Sequence, residues 1–205
     1  MRIIMNKFSA IFFISAVAFL FSSCTSSISI PGEKNRVVEN LAAEYYNIAD
    51  AYLDQKNYKK AMEYYDLAMT DESIYNQAFY KKGYAAALAK DWAVAENIYR
   101  ELLSQDSKNT NFATALAYIV AQSGNLQEAS IMYENLVKEN PYDEALAKDN
   151  LLIYISLKEV DSAILAMENF KLNFPNSKEI TTLEKELETI IPKDENSQEA
   201  TTDKA

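Results

Sequence analysis

The chain has no histidine, one cysteine, three glycines and four prolines in 205 residues. Without imidazole there is no Ser-His-Asp triad, no Cys-His dyad and no histidine metal site. Gly32, Gly83 and Gly124 stand too far apart to build a phosphate-cradling loop or a dinucleotide turn. A lone cysteine forms neither an internal disulfide nor a cysteine zinc cluster. Basic charge is also short. Twenty Lys and Arg against 30 Asp and Glu give a net charge of −10, which repels nucleic acid. No catalytic group, metal site or cofactor is implied by what is left. What is there, 49% hydrophobic and 24% charged residues with Ala, Leu, Glu and Lys abundant, describes a folded chain that is helical throughout.

The first 24 residues differ from the rest. Arg2 and Lys7 open the segment, and no acidic residue occurs before Glu33. From Phe8 to Phe21 run 14 almost unbroken apolar residues. A bilayer core takes about 20 helical residues to cross, so this run reads as the h-region of a secretory signal. It ends Phe21-Ser22-Ser23-Cys24, which resembles the lipobox of bacterial lipoproteins, although Phe21 stands where an aliphatic residue is usual. The resemblance implies removal of residues 1–23 as a signal peptide and acylation of Cys24, palmitate included. Each buried acyl CH₂ contributes about 0.8 kcal/mol, so two or three chains anchor durably. Losing residues 1–23 leaves 18 basic and 30 acidic residues, a net charge of −12. Lipid, not attraction to anionic headgroups, then holds the protein at the membrane. Thr25 after the cysteine, where Asp is absent, resembles Gram-negative lipoproteins sorted to the outer membrane and implies a periplasm-facing chain. Residues 24–35, Ser-rich and broken by Pro31-Gly32, read as a flexible tether.

A period of 34 residues organises the remainder. Ala61, Ala95, Ala129 and Ala163 are spaced by it, inside YKKAMEYYDLA, WAVAENIYREL, LQEASIMYENL and VDSAILAMENF. Four residues after each alanine stand Tyr65, Tyr99, Tyr133 and Met167; three further on, Ala68, Leu102, Leu136 and Phe170. Just before each of these helices lie Asn57, Asp91, Asn125 and Glu159, three of which are good N-caps. An earlier helix in each unit keeps the same phase through Ala49, Gly83, Ala117 and Leu151, while Lys82 and Asn150 occupy positions where the pattern asks for an apolar residue. After Pro175, Asn176 and Glu179 form a capping-box pattern that opens a last amphipathic helix through Ile180, Leu183, Leu187, Ile190 and Ile191. Residues 192–205 hold no aliphatic larger than Ala and read as a disordered tail.

This pattern resembles the tetratricopeptide repeat (TPR). The resemblance implies an all-α chain: a right-handed TPR solenoid of about four helix-turn-helix repeats plus a C-terminal capping helix, over residues 36–191. Ligands of this family usually lie in a groove lined by the first helix of each repeat. By phase, that groove carries Tyr46, Tyr80, Thr114 and Lys148 in one row and Asp50, Tyr84, Tyr118 and Leu152 one turn on. Tyr46, Tyr80, Tyr84 and Tyr118 form an expected aromatic track that packing does not require; Asp50 and Lys148 are its charged members. The Lys/Asn/Arg carboxylate clamp of chaperone-binding relatives is absent, since Tyr46 and Asp50 hold those rows. The acidic pairs Asp71-Glu72 and Asp143-Glu144 fall at repeat seams, where helices begin, and suggest no metal site.

The function implied is that of a non-catalytic, lipid-anchored adaptor binding other envelope proteins or peptides, loosely similar to BamD-like components of outer-membrane protein assembly. The alternative is an accessory lipoprotein of a periplasmic solute transport system, holding a small molecule or a partner. Neither involves nucleic acid, and neither the partner nor the complex is legible.

Overall fold

The computed structural model describes residues 33–192. The signal peptide, Cys24, most of the tether and the tail from 193 lie outside the described residues. Contacts group the chain into two units, Met1–Val38 and Glu39–Ala205, and the repeats belong to the second. Nine helices and no strand occur among the described residues: α1 (Glu33–Asp54), α2 (Tyr58–Ala68), α3 (Tyr75–Leu88), α4 (Trp92–Gln105), α5 (Thr110–Gln122), α6 (Leu126–Glu139), α7 (Glu144–Leu157), α8 (Val160–Asn173) and α9 (Ile180–Glu188). Glu33–Asn35, at the end of the stretch read as a tether, are already helical. The first helices of the repeats are α1, α3, α5 and α7; the second are α2, α4, α6 and α8. Packing from α2 onward runs from each helix to the next in sequence, and α9 closes on both α8 and α7.

The turn inside each repeat is one motif used four times. The backbone N–H groups of Asn57, Asp91, Asn125 and Glu159 reach back to the carbonyls of Tyr52, Ala86, Val120 and Tyr154. Those of Lys56, Lys90, Gly124 and Lys158 reach Leu53, Ala87, Ala121 and Ile155. This paired bonding stops a helix through one residue in the left-handed region. Lys56, Lys90 and Lys158 take φ near +60° and Gly124 takes +98°. The next residue then caps the following helix: the side chains of Asn57, Asp91 and Asn125 accept from the backbone N–H of Lys60, Val94 and Glu128, while Glu159 makes no such bond. Three lysines thus hold a conformation that costs an L-residue about 1–2 kcal/mol, partly offset by placing positive charge at a helix C-terminus.

The marker alanines Ala61, Ala95, Ala129 and Ala163 are all 0% exposed. Tyr65, Tyr99, Tyr133 and Met167 are buried behind them, as are Ala49, Ala117 and Leu151 of the first helices. Gly83 takes the small-residue place in the second repeat, and a Cβ there would meet Ile98 Cγ2 at 2.6 Å. Lys82, at a position the pattern reserves for an apolar residue, is tied by Nζ to Asp66 Oδ1 at 2.6 Å. On the closing helix, Leu183 and Leu187 are buried with Leu151, Met167 and Phe170. The capping box expected of Asn176 and Glu179 does not form. Instead the Glu179 backbone N–H donates to Ser177 Oγ at 3.1 Å, and α9 ends at Glu188, before Ile190 and Ile191. The nearer hydroxyl of Ser177 wins the first turn, and the apolar stripe outlasts the helix.

Two glycine substitutions separate backbone strain from steric contact. Gly124→Ala leaves open space around the new methyl but forces it into the left-handed region, and should lower stability by about 1 kcal/mol. Gly83→Ala should cost about 1–3 kcal/mol by overpacking. Lys90→Gly should raise stability by about 0.5–1 kcal/mol. Urea unfolding followed by circular dichroism measures all three; an unchanged midpoint for Gly124→Ala would contradict the turn geometry.

Candidate functional site: the tyrosine-bearing face of the first helices

Asp50 on α1 anchors the first part of this face. Its carboxylate accepts a hydrogen bond from the Tyr65 hydroxyl of α2 and pairs with Lys81 Nζ of α3 at 3.2 Å. The Tyr46 ring stands edge-on to Tyr65, centroids 5.6 Å apart. Burial acts to lower the Lys81 pKa, and the hydrogen bond and charge of Asp50 more than offset it, so the ammonium is held. Burial, joined by Asp50, pushes the Tyr65 hydroxyl well above its usual range, which keeps it a donor at neutral pH. Tyr46 is raised in the same way, by burial first and Asp50 second.

Tyr80 on α3 lies edge-on to Tyr99 of α4 at 6.1 Å and tilted against Phe112 of α5 at 5.7 Å. Tyr46 and Tyr80 therefore join helices as well as facing outward, which corrects the expectation that packing does not need them. Tyr84, one turn along α3, is 44% exposed and Tyr118 on α5 is 48% exposed. Tyr118 leans edge-on against Trp92 at 6.5 Å. It also forms, with Thr114, one wall of a cavity of about 380 Å³ whose other side carries Tyr133, Asp143 and Asp149. Lys148 stands apart from the tyrosines: its Nζ is 3.8 Å from Glu179 Oε2, linking α7 to the start of α9. That half-exposed pair contributes at most about 1 kcal/mol.

Sequence reasoning missed two features. The rings of Tyr65, Tyr99 and Tyr133 are buried as expected, yet their hydroxyls reach the first-helix face: Tyr65 to Asp50, Tyr99 beside Tyr80, Tyr133 beside Asp149. Tyrosine at a buried site where Phe or Leu would pack is the signal, because a buried hydroxyl demands a partner. Asp149 gave no repeat signal, since Lys81 and Ala115 hold its equivalent positions. Burial raises its carboxyl pKa against the lowering effects of Lys148 and of the Tyr133 hydroxyl.

A carboxyl whose pKa is higher folded than unfolded binds protons more readily in the native state, so its contribution to stability falls as pH rises from the unfolded value of 3.8 through the raised folded value. Asp149→Asn keeps an acceptor for Tyr133 and removes the buried charge. The variant should be more stable than the parent at pH 7, with the gain shrinking to nothing below about pH 3.8, measured by urea unfolding across pH. A gain that persists in acid would place the cost elsewhere.

Models of the tetratricopeptide repeat match residues 45–70 and 86–151. An uncharacterized lipoprotein of Treponema pallidum is 25% identical over 145 residues, covering 71% of this chain and 74% of that protein. Among solved structures, a tetratricopeptide repeat protein from Parabacteroides merdae superposes with a TM-score of 0.65 at 19% identity, over 74% of this chain and 60% of its own. This chain thus spans less than two thirds of that structure. MamA of Desulfovibrio magneticus superposes at 0.58 with 16% identity, over 73% of this chain and 92% of its own. YrrB, described as a TPR protein with an unusual peptide-binding site, superposes at 0.53 with 15% identity, over 75% of this chain and 88% of its own. One helical hairpin iterated four times at a 34-residue period, the two matched repeat segments and the shared architecture together give this chain the tetratricopeptide-repeat fold.

Proposed function

We propose that the chain is a lipid-anchored, non-catalytic adaptor of the bacterial cell envelope that holds an extended segment of a partner protein across the tyrosine-bearing face of its first helices. The observation that carries this reading is the run of outward tyrosines, Tyr80, Tyr84 and Tyr118, flanked by the Asp50–Lys81 pair and by the cavity beside Asp149. Tyrosine supplies a broad apolar ring at low rotamer entropy with a polar tip, the combination that interfaces favour. The lipoprotein relative from Treponema supports anchoring through Cys24, and the peptide-binding site named for YrrB supports a peptide as the occupant. Thr25 after the cysteine supports an outer-membrane anchor that faces the periplasm, and service in outer-membrane protein assembly is the pathway that this architecture suggests.

Interface tyrosines that a partner buries cost upwards of about 1 kcal/mol each on truncation. The triple variant Tyr80→Ala, Tyr84→Ala, Tyr118→Ala should therefore weaken partner capture by on the order of 100-fold while keeping the far-ultraviolet helical signal. Pull-down from crosslinked cells followed by protein identification reads this, and undiminished capture by a folded triple variant would overturn the assignment. Cys24→Ser should move the protein from the membrane to the soluble fraction. Retention of that variant in washed membranes would overturn the lipid anchor. A small molecule that co-purifies in native mass spectrometry, with no protein partner captured, would instead favour a role in solute transport.

A further inference from the structure

One position varies among the repeats more than packing allows. Spaced by 34 residues, it holds Ile48, Lys82, Leu116 and Asn150. Leu116 is 3% exposed within the central apolar core, and Lys82 reaches out to Asp66. Asn150 does neither. It is 8% exposed, and its Oδ1 is buried with no hydrogen-bond partner. A buried acceptor left unpaired opposes folding, and an apolar residue of leucine's size would relieve it.

Space opens where the leucine is missing. A cleft of about 500 Å³ lies between α6 and α8 with Asn150 of α7 in its lining, and a second cavity of about 60 Å³ shares the same side chain. The larger cleft has no lining residue in common with the cavity beside Tyr118. Gln127 and Asn169 bring two more side-chain amides to it, and Ile131 and Leu165, 57% and 59% exposed, supply apolar lips. The charged groups are engaged within the protein: Lys138 pairs with Glu134 at 2.7 Å, and Glu159 accepts from the Ser162 hydroxyl at 3.3 Å. The other polar groups of the lining are the carboxamides of Asn150, Gln127 and Asn169 and the hydroxyls of Ser130, Tyr154 and Ser162. Each carboxamide offers a donor and an acceptor side by side, and rotation about the terminal torsion of Asn150 can present either end.

We propose that this cleft is a binding site for a neutral ligand bearing a secondary amide. Once the Asn150 amide turns about its terminal torsion to bring Oδ1 to the cleft, the ligand N–H donates to it, the ligand carbonyl accepts from a neighbouring carboxamide, and its apolar flank rests on Ile131 and Leu165. A peptide bond and an acetamido sugar share that chemistry. Asn150 is therefore kept for recognition at the expense of stability, and the site is independent of the tyrosine-bearing face.

The test uses the full chain in mild detergent, titrated with acetyl-trialanine amide in one arm and N-acetylglucosamine in the other. The side-chain amide resonances of Asn150 are assigned by their loss in Asn150→Leu. A saturable shift of those resonances in either arm is expected, and the arm that produces it identifies the source of the amide. Asn150→Leu should melt at a higher temperature than the parent and bind at least tenfold more weakly. Asn169→Ala, at an exposed position that folding tolerates, should also weaken binding. Silence of Asn150 in both arms at millimolar probe, or undiminished binding by Asn150→Leu and Asn169→Ala, overturns the proposal. The tyrosine triple variant should bind as the parent does, so this site and the partner-binding face fail or stand separately.

Discussion

Close approach of paired helices at very small side chains is the constraint on which the structure depends. The four marker alanines are fully buried, and in the second repeat even a methyl group on Gly83 would run into Ile98. With the two helices this near, the long side chains four and seven residues further on can project past the crossing into the space between successive hairpins. Tyr65, Tyr99, Tyr133 and Met167 are buried there, as are Leu102, Leu136 and Phe170, with the short Ala68 holding the matching place in the first repeat. Interior packing is dense enough that changing these volumes disturbs the register of the whole stack. The connection between the two helices is correspondingly tight, one left-handed residue followed at once by the cap of the next helix.

The same geometry gives the first-helix face its chemistry. A tyrosine rooted on the second helix passes between two first helices and delivers only its hydroxyl to the far side. Its ring stabilises the hairpin, and its oxygen stiffens the surface on which outward tyrosines stand. Carboxylates meet these hydroxyls in two different ways. Asp50 has both Tyr65 and Lys81, so its charge is balanced within the fold. Asp149 has burial against it and the Tyr133 hydroxyl in partial compensation. One end of the face is therefore electrostatically settled, and the other carries an acidic group beside an open cavity.

Much of this was legible in the sequence because alanine repeated at a fixed interval has few other physical meanings. The all-α class, the four hairpins, the side-chain caps on three of the second helices and the closing helix all followed from periodicity and from the preference of Asn and Asp for helix starts. Three things were not legible. Lysine carries no signal for a left-handed turn, so the shared turn motif is visible only through its backbone bonds. Asp149 sits where other repeats have Lys81 and Ala115, and averaging over repeats erases it. The first turn of α9 was misassigned because Ser177 and Asn176 are both competent partners for the same backbone N–H, and only geometry chooses between them. Lys82 and Asn150 were visible as misfits, but the difference between a tied lysine and an orphaned amide was not.

Because packing among the described residues passes mainly from each helix to the next, most of their contacts join residues near in sequence. Little loop entropy has to be surrendered before native contacts form, which favours rapid, locally nucleated folding. Strain applied at one end is shared serially by the hairpins and is not borne by a single core. A molecule built in this way behaves under load as an elastic element, yielding a little at every joint, and its outermost hairpin can detach and redock while the middle stays ordered.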